Sequence, residues 1–244
     1  MVNNQGFSNF TPLCYMSVIA ENIIRLKKEL PVNVKLVAVS KTKDIDDIME
    51  AYNTGHRAFG ENRVQELMSK YEHVPADIQW HMIGHLQRNK VKYIAGFIYM
   101  IESVDSEKLL RAINKEAVKE ERIIDCLLQF HIAREETKFG FSREEAMEMI
   151  SSGVLDELGN VNIRGVMGMA TFTDDMDRVR SEFIYLRSIF DEMKKLFFSD
   201  NNNFNEISMG MSGDYKVALE EGSTMVRIGT SIFGARYCEI DNNK

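Results

Sequence analysis

Apolar residues along this chain recur in two alternating rhythms. Eight short apolar runs rich in β-branched and aromatic residues can be marked out: Val34 to Ser40, Arg57 to Glu61, Ile78 to Gly84, Tyr99 to Val104, Ile123 to His131, Asn162 to Ala170, Glu206 to Ser212 and Met225 to Phe233. Between them lie stretches such as Ile45-Ile48-Met49-Tyr52, Leu109-Leu110-Ile113-Ala117 and Val179-Phe183-Leu186-Phe190-Met193, whose spacing of three and four puts the apolar side chains on one helical face. A leading helix is expected around Asn9 to Leu30, ended by Pro31. Strands that alternate with helices pair in parallel, because each crossover helix returns the chain to the same end of the sheet. Eight such repeats with no domain-sized insertion fit a closed (β/α)8 TIM barrel better than an open sheet of nucleotide-binding type, and no glycine-rich dinucleotide fingerprint follows the first run. The expected fold is therefore α/β: a single (β/α)8 barrel with an extra N-terminal helix, residues 1–244 forming one domain.

Length alone does not decide this, since 244 residues suit one barrel or two small domains equally well. Composition narrows the function instead. A net charge of -7 argues against nucleic acid as the principal partner, because phosphate backbones are bound through clustered Lys and Arg. Cys14, Cys126 and Cys238 are odd in number and far apart, without the close spacing of a zinc site or redox pair, so no metal is expected and a reduced, cytoplasmic setting is the simplest reading. The first residues lack a basic segment followed by a long apolar stretch, and no run approaches membrane-spanning length, so neither a signal peptide nor a membrane partner is expected.

Candidate chemistry appears where the runs end. Lys41 closes the first run and is followed by Thr42 and Lys43. An amine at the mouth of an apolar pocket is partly desolvated, which disfavours the ammonium and leaves a nucleophile able to condense with an aldehyde. Read by itself, the segment fits better a lysine that merely ends a strand in solvent, and only the far end of the chain reverses that. At the far end, Ser208-Met209-Gly210-Met211-Ser212-Gly213-Asp214 and Arg227-Ile228-Gly229-Thr230-Ser231 are small-residue turns of the kind that present amides and hydroxyls to a phosphate, although such turns are often only turns. In a barrel the strand C-terminal ends form the active face, with phosphate often held after strands 7 and 8, so closure would make Lys41 a neighbour of both turns. Arg227 sits inside an apolar run, where a guanidinium needs a partner; an ion pair within the barrel would satisfy it as well as a ligand would.

Five segments carry a resemblance: Val37-Ala38-Val39-Ser40-Lys41-Thr42-Lys43, Phe59-Gly60-Glu61-Asn62-Arg63-Val64-Gln65-Glu66, Trp80-His81-Met82-Ile83-Gly84-His85-Leu86-Gln87-Arg88-Asn89-Lys90, Ser208-Met209-Gly210-Met211-Ser212 and Gly222-Ser223-Thr224-Met225-Val226-Arg227-Ile228-Gly229-Thr230. In that order they resemble the pyridoxal phosphate homeostasis proteins over about residues 16–236, which would be the core of the domain. The resemblance implies an alanine-racemase-like barrel that holds pyridoxal 5'-phosphate (PLP) as an internal aldimine on Lys41. It further implies that Ser208, Gly210, Gly229 and Thr230 cradle the phosphate, that Arg227 faces the pyridine nitrogen, and that Asn62 meets the ring oxygen; as the residue opening a helix, Asn62 would otherwise be an N-cap. An always-charged donor at the ring nitrogen would damp carbanion chemistry. His81 reads as a core histidine, His85 as a loop residue on the active face, and Met167 and Met169 as alternating strand residues that either line the pocket or fill the core.

Two departures stand out. Asp44 follows Lys43 where a proline is common in the family, and the fifth run ends in His131-Ile132-Ala133-Arg134-Glu135-Glu136-Thr137-Lys138-Phe139-Gly140 rather than an Asn-rich motif with Ser, which leaves polar contacts from that strand unassigned. Racemases of the same barrel type add a β domain, and the ten residues after Gly234 leave no room for one. The expected function is thus a PLP-binding, PLP-homeostasis protein that buffers or delivers the cofactor to PLP-dependent apo-enzymes, a monomer with no catalytic residue. A minimal PLP-dependent racemase-like enzyme and a class I Schiff-base aldolase are the rivals.

Overall fold

The computed structural model describes residues 16–133 and 139–234. Its first helix, α1 (Val18–Glu29), starts where Ser17 Oγ accepts a hydrogen bond from Ala20 N at 3.2 Å and stops at Leu30, ahead of Pro31. The earlier part of the expected leading helix lies outside the described residues. Eight strands follow: β1 (Lys35–Val39), β2 (Ala58–Glu61), β3 (Gln79–Met82), β4 (Met100–Val104), β5 (Ile124–Phe130), β6 (Val161–Gly168), β7 (Glu206–Ser208) and β8 (Met225–Ile228). Each pairs in parallel with the next, and β8 pairs with β1 through Lys35–Met225, Leu36–Val226, Val37–Arg227 and Ala38–Ile228, closing the barrel. The helices between them are α2 (Ile45–Asn53), α3 (Val64–Tyr71), α4 (Glu107–Lys119), α5 (Arg143–Ser151), α6 (Met176–Phe197) and α7 (Tyr215–Glu220), with α8 (Thr230–Phe233) after β8.

Two apolar layers hold this arrangement. Outward-facing strand residues such as Ala38, Phe59, Trp80 and Val226 pack in one continuous cluster with the buried helix residues Ile48, Leu67, Ile113 and Leu186. A separate cluster of Val37, Met100, Leu127, Met167 and Met225 fills the barrel itself, so Met167 is an inner-core residue. Two positions further along β4 and β8, the same alternation brings Glu102 and Arg227 to the next interior level. The barrel therefore carries a polar layer above its apolar plug.

The predicted runs overshoot at their C-terminal ends, for a physical reason. Glu206 to Ser212 is a strand only to Ser208, because Gly210 takes φ +95 and packs so closely that a Cβ there would lie 2.6 Å from Ala218 Cβ. Met225 to Phe233 is a strand only to Ile228; Ile232 and Phe233 are instead the buried side of α8, both donating backbone N–H to Gly229 O at 2.9 Å. Asp44, in place of a proline, caps α2 by accepting from Asp47 N at 2.9 Å.

One buried histidine sets an acid limit on stability. His56 precedes β2, is 4% exposed, and its Nε2 lies 2.8 Å from Ala58 O. Burial, helped by the positive field of Lys27, pushes its pKa down from 6.5 to about 4. Between those values the unfolded chain binds a proton there that the folded one refuses, so this contribution is complete above 6.5 and is lost as pH falls towards 4. The loss amounts to about 3 kcal/mol. Melting curves from pH 7 to 4 should show a steeper fall for the parent than for His56→Gln, and parallel falls would exclude His56 as the cause.

Candidate functional site

Lys41 emerges directly after β1 on a loop that is tied down from below. Thr42 takes φ +63, an uncomfortable conformation for a β-branched residue, and its N–H donates to Glu66 Oε1 at 2.5 Å. Lys70 Nζ donates to Ser40 O at 2.9 Å, to Glu61 Oε1 at 2.8 Å and to Glu66 Oε1 at 2.7 Å, while Ser40 Oγ donates to Glu61 at 2.6 Å. Burial pushes the Glu61 carboxyl above the usual range, and the Lys70 charge opposes it. The sequence reading gave Glu61 and Glu66 no role beyond their place in the second segment and did not single out Lys70. The available signal was Lys70 itself, which follows Val64 and Leu67 at three-residue spacing and so falls on the buried face of α3.

A cavity of about 410 Å³ opens at the C-terminal ends of the strands. Of the residues singled out from sequence, Lys41, Asn62, Arg227, Gly229 and Thr230 lie on its wall. Asn62 is no N-cap: Arg63 occupies that position of α3. Met169 and Phe172 form an apolar side after β6, and Phe172 is almost wholly exposed. Ser208 and Gly210 are not on the wall. Both are buried, and the polar side chains that their turn presents to the cavity are Ser212 and Asp214. Ser212 Oγ accepts from Gly229 N at 3.3 Å and from Ser231 N at 3.4 Å, so two amides converge on one oxygen position beside Thr230. Gly229 fits closely there, since a Cβ would come 3.2 Å from Val39 O. Asp214 shapes the turn by accepting from Met211 N at 2.5 Å, and burial raises its pKa.

At the inner end of the cavity, Arg227 is 4% exposed. Its Nη1 donates to Ser208 Oγ at 2.5 Å and its Nη2 to Gly168 O at 2.9 Å, with Glu102 Oε2 3.9 Å from Nη1. Ser208 Oγ in turn donates to Glu102 Oε2 at 2.5 Å, and His81 Nδ1 lies 2.7 Å from Glu102 Oε1. Burial acts to raise the Glu102 carboxyl, but the contacts and fields of His81, Arg227 and Ser208 outweigh it and leave the pKa below the ordinary carboxylate value. Burial lowers the Arg227 pKa against the opposing fields of Glu102 and Asp214. Both sequence readings of Arg227 thus meet in one place: it reaches the cavity and has an acidic partner in the barrel.

The remaining candidates lie elsewhere. His85 is on the loop after β3, its Nδ1 2.9 Å from Asp105 Oδ2, away from the cavity wall. Cys126 is a free thiol, fully buried, with its pKa pushed up by desolvation; Cys14 and Cys238 fall outside the described residues, as do residues 134–138 of the unusual segment after β5. Among the described residues no cluster of His, Cys, Asp or Glu could hold a metal ion, and no helix is long and apolar enough to cross a membrane.

A closed parallel barrel with a lysine at the end of β1 and two backbone amides converging between the turns after β7 and β8 defines the class as a lysine-bearing (β/α)8 barrel, and residues 16–237 match the family described as alanine racemase, N-terminal domain. Within it, the chain belongs to the pyridoxal phosphate homeostasis proteins. It is 41% identical to the protein of that name from Aquifex aeolicus, over 83% of this chain and 87% of the relative. It is 36% identical to the one from Homo sapiens, over 89% and 82%. Among solved structures, PipY of Synechococcus elongatus with PLP bound superposes with a TM-score of 0.80 at 34% identity, covering 88% of this chain and all of PipY. The alanine racemase of Bartonella henselae shares the fold alone, with a TM-score of 0.68 at 14% identity over 90% of this chain and 59% of the racemase.

Proposed function

We propose that the protein binds PLP in this cavity and serves intracellular PLP homeostasis, holding the cofactor and releasing or delivering it without turning over a substrate. The observation that carries the reading is the convergence of Lys41, Arg227 and the Ser212–Gly229 cradle on one cavity, three donor types that match an aldehyde, a pyridine nitrogen and a phosphate. When bound, PLP supplies an electrophilic aldehyde carbon and an electron-withdrawing ring. Lys41 would hold the cofactor by its amine, a group able to condense with an aldehyde with loss of water. Ser212, Thr230 and the amides of Gly229 and Ser231 hold the phosphate dianion, and Asn62 fixes the ring oxygen. Arg227 offers a permanent donor to the ring nitrogen, which keeps that nitrogen unprotonated and the ring a poor electron sink. Inverting a stereocentre needs a second acid–base group facing Lys41. Among the described residues the wall carries no tyrosine or histidine; its carboxylates are Asp174 and Asp214, the latter accepting from Met211 N in its own turn, and its other lysine, Lys43, donates to Phe233 O at 2.8 Å.

The reading extends to a single-domain monomer in the cytoplasm, with PLP-dependent apo-enzymes as recipients. Titrating purified protein with PLP should produce a saturable visible absorption band, and adding a PLP-dependent apo-enzyme should restore that enzyme's activity as the band declines. A protein that stays colourless with excess PLP would overturn the reading in favour of a Schiff-base aldolase. Sustained racemisation of amino acids by the loaded protein would favour the minimal enzyme.

A further inference from the structure

We infer that Glu102, acting through the Ser208 hydroxyl, is a positioning residue that fixes the Arg227 guanidinium at the inner end of the cavity. Ser208 stands between the two charges: its Oγ donates to Glu102 Oε2 at 2.5 Å and accepts from Arg227 Nη1 at 2.5 Å. A hydroxyl has one proton to give and lone pairs to receive with, so this is the one polarity in which carboxylate, hydroxyl and guanidinium are all satisfied. Ser208 and Glu102 are both fully buried, and neither reaches the cavity wall. They bear on a ligand only through Arg227, which does reach it.

The geometry of the guanidinium explains why such a support is needed. An arginine side chain spans several rotatable bonds, and one donated bond to Gly168 O at 2.9 Å leaves it free to pivot. The second bond, to Ser208, defines the plane of the fork. Glu102 supplies the counter-charge that makes a buried cation tolerable, at 3.9 Å from Nη1. Glu102 is itself held from the far side by His81, whose ring packs 5.4 Å from that of Tyr99. The chain His81–Glu102–Ser208–Arg227 thus crosses the barrel from β3 through β4 and β7 to β8, directly above the apolar plug. It also gives the serine of the Ser208-Met209-Gly210 turn a role on the ring side of the cavity, distinct from the phosphate side served by Ser212.

This inference rests on the reading that the PLP ring lies against Arg227, and the test separates the two. PLP and pyridoxal share the ring nitrogen and differ in the phosphate. Ser208→Ala should therefore weaken both ligands by the same factor, about tenfold, the loss of a hydrogen bond to a charged group. In an Arg227→Met background, the same change should alter affinity for either ligand by less than about twofold, because the group it positions is gone. Glu102→Gln should repeat this pattern if the variant folds, and Ser208→Ala carries the test if it does not. A merely structural role would leave the loss unchanged when Arg227 is absent, and that result would overturn the inference. So would a Ser208→Ala loss confined to PLP, which would return the hydroxyl to the phosphate. Failure of the parent protein to bind either ligand would instead overturn the cofactor reading beneath it.

Discussion

Lys41→Ala should reduce covalent capture of PLP to background while leaving the barrel folded. Borohydride reduces a C=N link to a stable secondary amine, so treatment of the loaded parent followed by peptide mapping should place the label on Lys41. In the variant the label should vanish, and non-covalent binding through the phosphate cradle and Arg227 should persist as weaker, readily dialysed PLP. The fold survives because Lys41 is half-buried beyond the end of β1, so its removal opens no core cavity. A change in stability of less than about 1 kcal/mol is expected. The supports of its loop, Glu61, Glu66 and Lys70, stay in place because they bond Ser40 and Thr42 through side chain and backbone groups. Mapping of the label to Lys43, Lys90 or another lysine would remove Lys41 from the site.

The second large effect concerns the phosphate. Sequence reading assigned it to Ser208, Gly210, Gly229 and Thr230; the structure sets Ser208 beneath the cavity and brings Ser212 to the wall. Combining Ser212→Ala with Thr230→Ala should weaken PLP strongly and pyridoxal little, since only PLP carries the group those hydroxyls address. Each bond to a charged group is worth roughly 1.5 to 3 kcal/mol, so one such loss alone lowers PLP affinity about ten- to a hundredfold. Spectroscopic titration with the two ligands measures the difference. Equal losses for PLP and pyridoxal would show that the turn does not read the phosphate.

Much of the architecture was legible because it follows from local periodicity. A run of apolar, β-prone residues is buried on both sides in a parallel barrel, and a three-and-four spacing is buried on one side of a helix, so strands and crossovers write different patterns into the chain. Their strict alternation across eight repeats then determined the closed barrel, and with it the location of Lys41 and the two late turns on the same face. The sequence also marked Arg227 as anomalous, since a guanidinium amid Met225, Val226 and Ile228 needs an explanation wherever the strand lies.

What the pattern does not encode is which of several adjacent small residues points where. Ser208 and Ser212 are four positions apart in a turn whose path depends on Gly210 at φ +95 and on Asp214 accepting from Met211 N, and those conformations come from close packing against Ala218 and Tyr215. Only the closed tertiary structure therefore assigns one serine to the cradle and the other to Arg227. The same holds for Ile232 and Phe233, whose apolar character suits a strand or the buried side of a helical turn until Gly229 breaks the ladder. Polar groups buried inside the barrel are the extreme case: His81, Glu102, Ser208 and Arg227 are far apart in sequence, each sits on a separate strand, and their pairing exists only once closure brings those strands around a common axis.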